Sequence, residues 1–330
     1  MDYKKIIKSR ETRFKILKAL SFVPDRMMLP LQYRIYTGNT LHLKNPQRFT
    51  EKLQLYKMYY RNPVLPICVD KYRVREFITQ LGMPELLNDL YGVYSKAEDI
   101  EFDKLPNEFI IKTTDGGGGN NIKICKDKSK LDIPAVIKEV NSWLDVKSVN
   151  AGREWAYTGI SKSQIIVERL MHDPNSHDGG LTDYKVFCFQ GKPEVIIVDW
   201  DRYIDHKRNF FDTEWNAMDI QATDSVTSGE QFPKPSNLDE LLSVASKLSS
   251  QFPFVRVDLY NIEGKIYFGE LTFYPWSGYV NFTPDSFDFK LGDMFDVTNL
   301  TGGGYFIIIV YRTRVSATLA AAFTERRLAA

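Results

Sequence analysis

Lys112 stands on a β-rich run, EFIIKTT, just ahead of four consecutive glycines, Gly116, Gly117, Gly118 and Gly119. A backbone free of Cβ atoms can close on phosphate oxygens and offer them N–H donors. A lysine on the strand leading into it adds a point charge. The spacing fits neither a Walker A loop nor G-x-G-x-x-G, and a plain hairpin turn would use the same glycines. Further along, Arg256 and Asp258 alternate on one strand and so share a face. A turn at Asn261–Gly264 brings Glu270 back towards Asp258. Two carboxylates together on a largely apolar hairpin need a cation or an arginine between them. Mg²⁺ suits such a pair, because it takes few protein carboxylates and fills its shell with water and phosphate. Balanced surface acids are the simpler alternative. Lys185, two residues after Asp183 on another strand, is a second candidate phosphate contact. His206, Lys207 and Arg208 are consecutive donors suited to an anionic substrate group.

Other chemistries find less support. His172 and His177 lie five apart in a Pro/Asn/Gly loop, a poor zinc site, and no G-x-S-x-G elbow marks a serine hydrolase. Asp199 and Asp201 form an Asp-x-Asp at the end of an apolar strand, a pattern that sugar-nucleotide glycosyltransferases use to hold a metal.

These residues must be positioned by a chain of 330 residues, long enough for two domains. Its 43 Lys and Arg against 42 Asp and Glu argue against a nucleic-acid partner. An apolar share of 43% excludes disorder over most of the length. Cys68, Cys125 and Cys188 are read as reduced thiols, without a disulfide framework. With no secretory signal and no spanning segment, the cytoplasm is the default location. Residues 4–22 are basic and amphipathic, which allows peripheral contact with the inner face of a membrane; a solvated helix packed on the domain has the same pattern.

The first 60 residues read as helical, with Thr50 or Asn45 to cap PQRFTEKLQLYKMYYRN. Asp70 to Leu81 reads as a helix stopped by Gly82 and Pro84. Strands and hairpins dominate from Phe109 onwards: FIIKTT with IKIC, QIIVERLM, DYKVFCFQGKPEVIIVDWD and FVRVDLYNIEGKIYFGELTF. Helices interrupt them at IPAVIKEVNSWL and at NLDELLSVASKLSSQF, the latter capped by Asn237. That order favours an α+β fold with antiparallel sheets over a doubly wound parallel sheet.

Taken in order, the lysine strand, glycine loop, VERL strand, second lysine, R-x-D and Glu270-Leu-Thr272-Phe-Tyr-Pro275-Trp-Ser277-Gly278 resemble an ATP-grasp enzyme. NPQRFTEKLQLYK, DKYRVREFI, FIIKTTDGGGGNN, GREWAY, DYKVFCFQGKP and DRYIDHKRNFFD narrow the resemblance to the teichuronopeptide-biosynthesis (TupA-like) branch, over residues 30 to 295. The resemblance implies two α+β subdomains gripping ATP, at 105–180 and 181–295, after a helical region over 1–104; the segment 296–330 does not fit. It implies an ATP- and Mg²⁺-dependent carboxylate–amine ligase of cell-surface polysaccharide, teichuronopeptide or capsule biosynthesis, joining a small or polysaccharide-linked carboxylate to an amino-acid amine. By position, Lys112 and Lys185 would contact ATP phosphates and Gly116–Gly119 would close over them. Glu168, with the backbone of Arg169 and Leu170, would face adenine and ribose. Asp258 and Glu270 would hold Mg²⁺, and Arg256 would stabilise the transferring phosphoryl group. His206, Lys207 and Arg208 would grip the acceptor carboxylate. The family usually carries Asn two residues after the metal glutamate; here it is Thr272, which makes a non-catalytic ATP-binding module an alternative.

Overall fold

The structure, a computed structural model, describes residues 9–300 apart from 117–120, 146–151, 161, 175, 177–179, 202–203, 224–227 and 299. Gly117, Gly118, Gly119 and the segment beyond 300 therefore lie outside the described residues.

Helices α1 (Arg10–Ala19) and α2 (Asp25–Thr37) open the chain. Gly38, at a φ of 78°, ends α2 by donating to the Arg34 carbonyl, the left-handed stop that glycine provides. Helix α3 (Phe49–Tyr59) starts differently from expectation. Neither Thr50 nor Asn45 caps it with its side chain. Glu51 instead accepts the backbone N–H groups of His42, Gln47 and Arg48 at 3.0, 2.9 and 3.1 Å. Asp288 accepts the Thr50 N–H at 3.0 Å and its hydroxyl at 2.7 Å. Carboxylates outdo a hydroxyl here, because each accepts several donors and its charge complements the helix N-terminus. Short α4 (Leu65–Cys68) follows, then α5 (Val74–Gln80), whose start Asp70 secures by accepting from the Tyr72 and Arg73 N–H groups.

The first sheet has strands β1 (Leu90–Tyr94), β2 (Phe109–Thr113), β3 (Ile122–Cys125) and β4 (Ile165–Glu168), ordered β1-β4-β2-β3 and antiparallel throughout. β1 belongs to it although it precedes residue 105. Helix α6 (Ile133–Asp145) covers one face, with Val136 and Val140 set among Phe109, Ile111, Ile165 and Val167. A short α7 (Trp155–Thr158) leads back to β4.

The second sheet has six strands: β5 (Asp183–Phe189), β6 (Lys192–Trp200), β7 (Lys207–Phe211) and β8 (Ala217–Met218), with β10 (Phe254–Ile262) and β11 (Lys265–Thr272) on the other side. Their order is β11-β10-β5-β6-β7-β8, again antiparallel. Between them, β9 (Gln221–Ala222) pairs with β12 (Phe282–Thr283). Two-residue turns at Gln190–Gly191 and Glu263–Gly264 run at positive φ, matching the twist of the hairpins they close. Helix α8 (Leu238–Ser249) packs on one face of this sheet, and α9 (Ser286–Met294) returns against α3. Asn237 does not cap α8 with its side chain. Its carboxamide donates to the Gly264 carbonyl and accepts from Asn261, pinning the helix start to the β10–β11 turn. The aromatic core is dense: Phe49 lies within 6.0 Å, centroid to centroid, of Phe187, Phe189, Phe254 and Phe295.

Candidate active site

One face of the six-stranded sheet carries the charged residues. Cross-strand register sets Glu270 opposite Asp258, Asp258 opposite Lys185, Asp183 opposite Asp199, and Asp199 opposite Arg208. Since side chains alternate along strands and align across them, these groups converge by topology. The other face packs on α8, where the Cys188 thiol donates to the Ala245 carbonyl.

Arg256 is the hub. Its Nε and Nη2 each reach Asp258 at 2.6 Å, and Nη2 also reaches Glu270 at 3.2 Å and the Thr272 hydroxyl at 3.1 Å. Lys185 sits 3.2 Å from Asp258, 3.0 Å from Asp183 and 3.9 Å from Asp199. Burial raises the Asp258 carboxyl above its usual range, against the pull of Arg256 and Lys185. The Glu270 side chain is 47% exposed; nearby protein disfavours its charge, but Arg256, the Thr272 hydroxyl at 2.7 Å, Lys71 and Lys185 outweigh that and hold its pKa at about 2.

The residues fit a divalent cation. One guanidinium nitrogen touches both carboxylates, so their oxygens converge on a single point of positive charge. Thr272 adds a neutral oxygen there. Among the described residues no group of three or more His, Cys, Asp or Glu side chains forms a protein-only cage. Two carboxylates are enough for a magnesium ion that keeps water and phosphate ligands.

The first sheet supplies the opposing groups. Lys112 lies 3.1 Å from Glu168, which Arg75 reaches at 3.4 Å. Arg169 has both backbone groups engaged, its N–H with Asp89 and its carbonyl with Asn88. Its guanidinium crosses to β11, 3.3 Å from the Tyr267 hydroxyl, and so ties the two sheets together. Gly116 is described; its carbonyl accepts from Lys71.

Lys71 and Arg75 were not among the residues expected in the site. Lys71 N–H donates to the Thr114 carbonyl at 2.9 Å, which anchors its backbone beside the glycine segment. Burial lowers its pKa, while Glu270, Asp115 and Asp70 favour its charge and Lys112 opposes it. Spacing along the chain does not mark these two residues, because only tertiary packing brings Lys71 to Gly116 and Arg75 to Glu168.

The expected acceptor triplet is divided. Arg208 pairs twice with the fully buried Asp199, at 2.5 and 2.9 Å, and His206 approaches the same carboxylate at 3.2 Å. Burial favours a neutral Asp199, but His206, Arg208 and Lys185 hold its pKa well below the usual range. Lys207 points elsewhere, to Glu230 at 2.8 Å and Asp201 at 3.6 Å. Beyond β11 the chain turns through Trp276, Ser277 and Gly278 at φ of 50, 54 and 67°. Lys57 and Gln54 hold this turn from α3, donating to the Ser277 and Gly278 carbonyls. The Ser277 hydroxyl donates to the Glu154 carboxylate. Burial pushes the Lys57 ammonium down to about 8, despite Glu154 and Asp25.

A lysine on each of two antiparallel sheets, with an Arg-bridged carboxylate pair on one of them, makes up the candidate site. The family model of TupA-like ATP-grasp proteins matches residues 51–296, and the chain belongs to that family. No curated protein matches the chain significantly. Among solved structures, the D-alanine–D-alanine ligase of Bacillus anthracis with ATP is similar at 19% identity and a TM-score of 0.42. That match covers 69% of this chain and 65% of the ligase. The corresponding ligase of Helicobacter pylori is similar at 15% identity and a TM-score of 0.40, over 76% of this chain and 70% of that one. No helix among the described residues is long and apolar enough to cross a membrane.

Proposed function

We propose that this chain is an ATP- and Mg²⁺-dependent carboxylate–amine ligase that acts on a cell-surface polysaccharide or its amino-acid decoration. The observation that carries the reading is the Arg256 guanidinium bridging Asp258 and Glu270, with Lys185 behind the pair. Lys71 and Lys112 support it from the other side, as cations beside the start of the glycine segment. When bound, Mg²⁺ held by Asp258, Glu270 and Thr272 would neutralise phosphate charge and orient the γ-phosphoryl group.

This chain's residues supply the rest. Lys71, Lys112 and Lys185 bind phosphate oxygens. Arg256 leaves the carboxylates it bridges and meets charge developing on the transferring group. A carboxylate oxygen attacks the γ-phosphorus and ADP departs, leaving an acyl phosphate. An amine nitrogen then attacks the acyl carbon, phosphate leaves with the bonding electrons, and the nitrogen loses a proton to give the amide. Glu168 and the Leu170 backbone face the nucleoside. Arg169 has its backbone engaged and acts through its link to Tyr267. His206 and Arg208 orient the acceptor side through Asp199, with Lys207 at its rim. The glycine segment that begins at Gly116, with no Cβ atoms to hinder close approach, would serve to close over the phosphates and exclude water. The reaction belongs where ATP is made, on the cytoplasmic side.

A metal-dependent glycosyltransferase has less support, since Asp199 is buried and doubly paired to Arg208. A non-catalytic ATP binder draws on Thr272, whose hydroxyl already serves Glu270 and Arg256. ADP release on adding uronic acids with amino acids decides among the three. The ligase releases ADP, and Asp258→Asn and Lys112→Ala each lower that rate at least ~10²-fold. ATP binding without ADP release supports the non-catalytic module, and thermal stabilisation by a UDP-sugar but not by ATP supports the transferase.

A further inference from the structure

We infer that the outer face of α2 is a docking surface for an anionic lipid membrane, an inference that does not rest on the reaction proposed above. Helix α2 has two faces of opposite fate. Met28, Leu29, Gln32, Tyr33 and Thr37 are buried against the body. Met27, Leu31 and Ile35, spaced i, i+4 and i+8, are exposed at 68, 52 and 38% and form a stripe about 12 Å long. Phe22, just before the helix, is 81% exposed. Large aliphatic and aromatic side chains held in water on consecutive turns mark an interaction surface rather than scattered exposure.

Charge selects the occupant. Residues 1–37 contain nine Lys and Arg against three Asp and Glu, a net of +6. The other 293 residues contain 34 against 39, a net of −5. Asp25, the sole acid of α2, is tied to Arg153 at 2.6 Å. Arg26 and Arg34 are exposed and donate to neutral acceptors, the Tyr59 hydroxyl and the Gly38 carbonyl, so they keep their charge. Arg34 lies seven residues after Met27 and so falls within the apolar stripe. A second copy of this chain docked through the same face would set two basic surfaces against each other. A bilayer with anionic headgroups accepts both features: the aliphatic groups enter the acyl boundary and the cations stay with the phosphates.

The test is flotation of the full chain with vesicles of phosphatidylcholine alone or mixed with phosphatidylglycerol. Binding to the mixed vesicles should exceed binding to phosphatidylcholine by at least about tenfold and weaken at high salt. Met27→Glu with Leu31→Glu should remove most of it, as should the milder Leu31→Ser with Ile35→Ser if the first pair disturbs folding. Arg26→Gln with Arg34→Gln should weaken it by several-fold. A folded wild type that stays off the anionic vesicles overturns the inference. So does equal binding by the apolar-face variants. A dimer in light scattering that Met27→Glu with Leu31→Glu dissolves, without vesicle binding, would give the face to a second copy instead.

Discussion

The two sheets each bring a lysine to the site, and they hold it in opposite ways. Lys185 on the six-stranded sheet is 7% exposed, and three aspartates surround it. Lys112 on the four-stranded sheet is 21% exposed and meets one glutamate, itself shared with Arg75. The larger sheet thus presents a fixed charge lattice whose order comes from strand register. The smaller one presents Lys112, paired with Glu168, over a small core of its own. A rigid electrostatic floor with a simpler counterpart opposite suits a site that must admit a large anion and then enclose it.

That contrast can be broken by replacing each lysine with methionine and following thermal unfolding. Lys185→Met leaves Asp183 without that cation and strips Asp258 of one of two partners. Removing one partner from a buried ionic cluster costs about 3 kcal/mol. Lys112→Met leaves Glu168 with Arg75 and should cost about 1 kcal/mol or less. Both variants should lose ATP turnover. Equal losses of stability would mean that the lattice around Lys185 is not the fixed element described here.

The same contrast explains what could be read in advance. Hairpins announce themselves: the alternation of Arg256 with Asp258 and the Glu-Gly turn put Glu270 opposite Asp258, and the register confirms it. The division of His206 and Arg208 from Lys207 follows from the same alternation. The partners of Arg208, however, depend on which strand neighbours β7, and sequence spacing does not carry that. Lys71 and Arg75 were missed for a similar reason: Lys71 reaches Gly116, 45 residues on, and Arg75 reaches Glu168, 93 residues on, only through tertiary packing. The start of α3 misled because Asp288, which holds it, comes from the far end of the chain.

Lys57 extends the comparison beyond the sheets to the turn that follows β11. It is buried, with its pKa at about 8 against 10.5 for a free lysine. Charging it in the folded state is therefore unfavourable. Below pH 8 both folded and unfolded forms carry the proton and the penalty is full. Between pH 8 and 10 the unfolded chain keeps the proton and the folded chain releases it, so the contribution of Lys57 to stability rises with pH. The gain should reach on the order of 2 kcal/mol by pH 10. Buried Cys68 and Cys188 from about pH 9, and buried tyrosines such as Tyr274 and Tyr279 from about pH 10, oppose it, because burial raises their pKa values and the unfolded chain loses their protons first. Lys57→Met should flatten the rise between pH 8 and 10 in thermal melts. An unchanged slope would show that the ammonium is not what titrates there.

The smallest effect sharpens the description of the rigid floor itself. The Thr272 hydroxyl donates to Glu270 at 2.7 Å and lies 3.1 Å from Arg256 Nη2, so it steadies a carboxylate that an ion would share. An asparagine there could do both jobs, its amide N–H donating to Glu270 and its carbonyl oxygen facing the cation. A carbonyl oxygen carries more negative charge than a hydroxyl and suits a hard cation better. Thr272→Asn should therefore lower the Mg²⁺ concentration for half-maximal ADP release by about threefold, with little change in melting temperature. If the Mg²⁺ requirement rises instead, the hydroxyl serves mainly to hold Glu270 in place, and the larger sheet derives its rigidity from that bond as well as from its ion pairs.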